Sequence, residues 1–99
     1  MNKYLDYAFR GDVEGMLEAK EEGCDIHAVN EYGQNAYLLG AMCGKVFGMR
    51  QARDDGVDVH VVDLNGRNAY LVGAMLDHHK VMEQARKDGV KKLRGVKNE

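Results

Sequence analysis

Apolar positions along this chain fall into short helical groups punctuated by glycine. Tyr4, Leu5, Ala8 and Phe9 stand at i, i+1, i+4 and i+5, one face of a helix over residues 3–10 that Gly11-Asp12 interrupts. Val13, Met16, Leu17 and Lys20 continue on a second helix. Asp12 stands at its start, where a side-chain oxygen can accept an exposed backbone N–H, and Gly23 at its end, where glycine can turn left-handed. Residues 24–34 have no helical period and pass through Tyr32-Gly33, so they predict an extended loop or hairpin projecting from the helices.

The plan then repeats. Asn35 is a candidate N-cap, Tyr37, Leu38, Ala41 and Met42 copy the first helical face, Gly44 separates the pair, Val46, Phe47 and Met49 open a return helix, and Gly56 closes it. A third copy reads Tyr70, Leu71, Ala74, Met75, then Val81, Met82, Ala85 and Gly89. The segment 65–75 restates 32–42 with a shift of 33 residues, and Met16, Ala19 and Gly23 recur as Met49, Ala52 and Gly56 and as Met82, Ala85 and Gly89. One turn and two short helices at such a period predict an all-α stack of helix-turn-helix units joined by hairpin loops. The units are 1–29, 30–62 and 63–92, followed by a basic tail over 93–99, all in one domain. Gly40 and Gly73 fall inside helices, where glycine costs about 1 kcal/mol relative to alanine. The expectation is that they let a neighbouring equivalent helix come close.

At the junctions, Gly56-Val57-Asp58-Val59-His60 and the following Val61-Val62-Asp63-Leu64-Asn65-Gly66-Arg67-Asn68-Ala69-Tyr70-Leu71 resemble the ankyrin repeat. In that family a Gly-Ala-Asp-Val-Asn segment leads through a hairpin with Asp and Gly into Thr-Pro-Leu-His and an Ala-rich helix. Gly56, Asp58, Val59, Asp63, Gly66 and Ala74 fit the pattern, as do Gly23, Asp25, Ile26, Gly33, Ala41 and Gly44. The chain departs from it with Asn-Ala-Tyr-Leu in place of Thr-Pro-Leu-His, His27 and His60 in place of Asn, and Ala52-Arg53 and Ala85-Arg86 in place of Leu-Leu. These departures bear on packing detail and leave the period and the glycines intact.

The 99 residues, 44% hydrophobic and 30% charged, fit one small domain. No apolar run approaches the roughly 20 residues of a membrane span, and the first residues lack the apolar core of a signal peptide. The expectation is an intracellular, cytoplasmic protein with Cys24 and Cys43 reduced. A net charge of −2 conceals a gradient. Residues 1–33 carry three basic and eight acidic groups, a net −5, and residues 67–99 carry eight basic and four acidic groups, a net +4. Opposite ends can steer a partner or favour head-to-tail contact, although units at the ends of a stack also need polar caps.

Candidate chemistry adds little. His27, His60 and the His78-His79 pair have no partners at metal-ligand spacing, and the recurrence of His27 and His60 suggests that they satisfy backbone groups in equivalent turns. Tyr4, Tyr37 and Tyr70 read as core residues whose hydroxyls reach a polar edge. No nucleophile stands beside a base and no phosphate loop occurs, so the expectation is no catalysis, no cofactor and no metal.

The ankyrin resemblance implies a concave face built from the hairpin tips and first helices. Its positions are Glu31, Tyr32, Gln34, Met42 and Cys43 in the second unit and Leu64, Asn65, Arg67, Met75 and Leu76 in the third. This set is apolar for a surface, and Tyr, Met and Arg are enriched at interfaces. The expected function is protein binding, as an adaptor or inhibitor, with Tyr32, Leu64, Arg67, Met75 and Leu76 at the centre. Alternatively, Tyr32 and Leu64 only staple neighbouring hairpins. Self-assembly through the charged ends is a second reading of the chain. Nucleic-acid contact through Lys87, Lys91, Lys92, Arg94 and Lys97 ranks last, because the tail lacks interleaved aromatics and the domain is net acidic.

Overall fold

Helices of seven to nine residues are marginal in water by themselves, so what holds them here is caps and packing. A computed structural model describes residues 1–92 and shows six helices and no strand among them. They are α1 (Lys3–Arg10), α2 (Val13–Glu21), α3 (Ala36–Met42), α4 (Val46–Asp54), α5 (Ala69–Met75) and α6 (His79–Lys87). Consecutive helices pair as α1 with α2, α3 with α4 and α5 with α6. First helices pack on first helices, α1 on α3 and α3 on α5, and second helices follow suit, α2 on α4 and α4 on α6. The result is 43 Å long against 24 and 19 Å.

One asparagine per pair sets the start of each first helix. The Oδ1 atoms of Asn2, Asn35 and Asn68 accept from the N–H groups of Leu5, Leu38 and Leu71 at 2.8, 3.0 and 2.9 Å, which satisfies an otherwise orphaned donor. Each Nδ2 donates in turn to a carbonyl 23 residues further on, of Asp25, Asp58 and Lys91, at 2.9, 2.9 and 2.8 Å. A single side chain thus caps its helix and ties that helix to the loop leaving its own pair. The amide accepts and donates from two separate atoms, whereas a hydroxyl cap would have to reach both partners through one oxygen.

The core follows the expected faces, with corrections at their margins. Tyr4, Leu5, Ala8, Met16 and Ala19 are buried in the first pair, and Tyr37, Leu38, Ala41, Met49 and Ala52 in the second. Phe9 is 40% exposed instead of buried, because the next pair covers Tyr4, Leu5 and Ala8 and leaves Phe9 beside Leu39 and Met42 at the edge. Leu17 and Phe47 are exposed too, the latter with the Arg50 guanidinium 5.3 Å from its ring centre.

The helical glycines do bring helices close, but the neighbour is not the one the repeat suggested. A Cβ on Gly40 would lie 3.1 Å from the backbone nitrogen of Met49 and one on Gly73 would lie 2.9 Å from Val81 Cγ1, so each glycine admits the second helix of its own pair. The stacked neighbour is met by Gly48, whose Cβ would come 3.1 Å from the carbonyl oxygen of Ala8. In the first pair Tyr7 takes the place of Gly40, and its ring fills the space that a side chain on Gly15, the counterpart of Gly48, would need.

Candidate functional site

The loop tips are built by side chains that fold the backbone onto itself. Asn30 Oδ1 accepts from Tyr32 and Gln34 N–H at 2.9 and 3.0 Å, and Asp63 Oδ1 accepts from Asn65 and Arg67 N–H at 2.8 and 2.9 Å. Gly33 and Gly66 complete both turns at φ of +79° and +75°, conformations that a side chain disfavours. The two tips are joined by a backbone bond, Leu64 N–H donating to the Tyr32 carbonyl at 3.0 Å. Stapling of neighbouring hairpins is therefore real, and the backbone performs it. The Leu64 side chain remains 77% exposed and Tyr32 is 55% exposed.

Between these tips and the first helices runs a shallow groove of about 370 Å³, lined by Met1, Phe9, Asn30, Tyr32, Gln34, Leu39, Met42, Asp63, Asn65 and Arg67. It crosses all three sequence units. Its apolar floor is the buried Leu39 with the half-buried Met42, and the more exposed Phe9, Tyr32 and Asn65 stand around it with Arg67. Such a mixture can hold an apolar side chain while a cation and amides orient the polar groups around it.

Of the residues expected on a binding face, the structure gathers Tyr32, Gln34, Met42, Asn65 and Arg67 around this groove. Gln34 is nearly buried and its Nε2 donates to the Met42 sulfur, so it braces the floor more than it presents a free amide. Leu64 packs against Gly33 and does not line the groove. Met75 and Leu76 are exposed at the end of α5 and do not line the groove. The other five lining residues, Met1, Phe9, Asn30, Leu39 and Asp63, are not among the positions expected from the sequence. Phe9 shares its repeat position with Met42 and Met75, and that equivalence was the available signal.

A polar ladder links the pairs. Tyr4 Oη donates to Asp55 Oδ2 at 2.6 Å and Tyr37 Oη to Asp88 Oδ2 at 2.7 Å, each across 51 residues. Lys20 and Arg53 reach the same two carboxylates at 3.0 and 2.8 Å. Gln51 and Gln84 complete the sites, donating at 3.0 Å to Asp55 and Asp88. Burial, then the hydrogen bond and the negative charge of the partner carboxylate, push both tyrosine hydroxyls far above their ordinary value. At Asp88 burial acts upward, but hydrogen bonds from Arg53, Tyr37 and Gln84 outweigh it and hold the carboxyl below the ordinary 3.8. The hydrogen bond to Asp88 is likewise the main cause that raises the Arg53 value. Tyr4 and Tyr37 are core residues that reach the expected polar edge, two aspartates whose role the sequence did not announce, whereas Tyr70 is only partly buried and meets no carboxylate among the described residues.

The histidines are placed differently from expectation. The turns at 25–27 and 58–60 are closed by Asp25 and Asp58, whose Oδ1 atoms accept from the His27 and His60 N–H groups at 3.0 and 2.9 Å, and both imidazoles are exposed. Among the described residues no group of three or more His, Cys, Asp or Glu could hold a metal ion. Cys24 and Cys43 are both free thiols, and burial raises that of Cys43. Lys91 and Lys92 are exposed, whereas the tail residues Arg94 and Lys97 lie outside the described residues. No described helix is long and apolar enough to cross a membrane.

Neither models of protein families nor curated proteins give a match to this chain.

Proposed function

We propose that the chain is an ankyrin-type repeat solenoid of three units and that it works as a non-enzymatic protein-binding module, an adaptor or inhibitor of a partner protein. The observation that carries this reading is the groove. It places Phe9, Tyr32, Leu39 and Met42 in one apolar strip, with Asn65 and Arg67 at its rim, on a frame held by hydrogen-bonded turns. Aromatic, Met and Arg side chains on a preformed surface bind with little ordering cost, which is what an interaction module needs. The family resemblance of the junctions supports the same reading, with fold-level analogy as its only force.

The test compares the wild type with a Tyr32→Ala, Arg67→Ala variant in affinity capture from the source cells, with circular dichroism to show that both are folded. An Asp54→Asn variant, altered at an exposed residue of α4 away from the groove, is the control. Any captured protein is then titrated in pure form. A partner that binds wild type and control and loses at least about tenfold in affinity for the groove variant supports the reading, since two truncated anchors remove more than about 1.4 kcal/mol. Equal binding by all three overturns it.

A further inference from the structure

We infer that a second copy of this chain docks head to tail on the α5–α6 end, with the partner's Glu22 carboxylate accepting hydrogen bonds from Tyr70 Oη and the Arg86 guanidinium. The ladder supplies the argument. Tyr4 and Lys20 of the first unit meet on Asp55, and Tyr37 and Arg53 of the second meet on Asp88, with the same spacings of 51 and 35 residues. Tyr70 and Arg86 hold the corresponding positions in the third unit. Among the described residues neither meets a carboxylate.

The surface around them is of interior type. At the positions of Tyr4, Leu5 and Ala8, and of Tyr37, Leu38 and Ala41, every side chain is buried. Tyr70 and Leu71 are only partly buried and Ala74 is exposed, yet the residue types are unchanged. In a stack, residues of these types at this position are ordinarily covered by a following unit. Tyr70, Arg86, Gly89, Val90, Lys91 and Lys92 line a depression of about 290 Å³ on this face, beside the place where the next carboxylate of the series would sit.

The opposite end offers what is missing. Glu22 is the counterpart of Asp55 and Asp88, and its side chain is 54% exposed. Glu18 stands where Gln51 and Gln84 stand, so the first unit presents two carboxylates where the second and third present an amide and one carboxylate. The acidic end and the basic end are complementary over the length of the molecule. Two features keep the contact weak. Lys3 and Asp6 replace Ala36 and Leu39 on the acidic end, with Lys3 3.7 Å from Glu22, and Glu83 takes the place of Arg50, so it would face Glu18 of the second copy. A salt-sensitive, open-ended association follows, because a head-to-tail contact leaves both outer ends free.

The experiment is sedimentation velocity on the full chain from micromolar to millimolar concentration, at low and high salt, with Glu22→Lys, Arg86→Glu, the double variant and Glu83→Arg. Circular dichroism confirms the fold of each. The wild-type mass is expected to rise with concentration past two copies and to fall back at high salt. Each single reversal weakens association at least about tenfold, the equivalent of one charge-assisted pair, and the double reversal restores it. Glu83→Arg, which copies Arg50, strengthens it several-fold. A wild type that stays monomeric throughout overturns the inference, as does an association that ignores Glu22→Lys or stops at two copies, which would mean that like ends pair.

Discussion

The second and third units carry almost the same first helix, Ala-Tyr-Leu-Leu-Gly-Ala-Met against Ala-Tyr-Leu-Val-Gly-Ala-Met, and the two behave differently. In α3 six of the seven residues are buried, and in α5 only Ala69, Val72 and Gly73 are. Tyr37 ends on a carboxylate held by Arg53 and Gln84, whereas the described residues offer Tyr70 no such partner. Identical side chains contribute according to what lies over them, since hydrophobic stabilisation scales with area removed from water. The first unit shows the other solution: Lys3, Asp6 and Arg10 occupy positions that are Ala36, Leu39 and Cys43 in the second, and Arg10 pairs with Asp6 at 2.9 Å.

The largest test of this contrast is truncation of the matched leucines. Leu38→Ala removes a fully buried side chain and should cost about 2–5 kcal/mol in chemical denaturation, and Leu71→Ala, half-covered, roughly half of that. Equal losses would mean that α5 is covered as well as α3. Next come the hydroxyls. Tyr37→Phe removes a hydrogen bond to a carboxylate and should cost about 1.5–3 kcal/mol, while Tyr70→Phe should change stability by less than about 0.5 kcal/mol in dilute protein.

Acid probes the same link between units. The folded Asp88 carboxyl lies below 3.8, so the stability it contributes is complete above its unfolded value and drains away as pH falls through the folded one. The wild type should therefore lose stability below about pH 4 more steeply than Asp88→Asn, as followed by denaturation midpoints across the acid range. Arg53 is 38% exposed, and solvent screens part of its pull on Asp88, so the difference in slope will be modest.

The smallest effect concerns the turn between paired helices. Gly11 and Gly44 adopt φ of +75° and +69° there, and the third unit places Asp77 at +60°. Asp77→Gly should stabilise the protein by up to about 1 kcal/mol, visible as a raised thermal midpoint, by relieving the strain of a side chain in the left-handed region. A fall in stability would show that the entropy glycine adds to the unfolded chain outweighs that relief.

The helical class, the glycine stops and the Asn35 cap were legible because they are local: a period of side chains, a missing Cβ, a short polar side chain before an apolar run. Much of the candidate groove was legible through the ankyrin resemblance, which pointed to the loop tips and first helices and so to Tyr32, Met42 and Arg67. Its first-unit wall was not. Phe9 looks like core by spacing, and only the packing of α3 on α1 shows that the covered arc stops short of it. The same holds for Met75 and Leu76, which share the composition of the groove without sharing its space.

By itself, then, the sequence determined where the helices start and stop and how often the plan recurs, because capping, glycine turns and hydrophobic period act within a few residues. Tertiary structure decided which copies of a residue are paid for by burial. It put the second amide bond of each Asn on a carbonyl 23 residues away, gave Asp55 and Asp88 their tyrosines across 51 residues, and left Tyr70 and Arg86 without a carboxylate among the described residues. Those outcomes depend on what the neighbouring unit presents, and no local pattern of side chains contains that information.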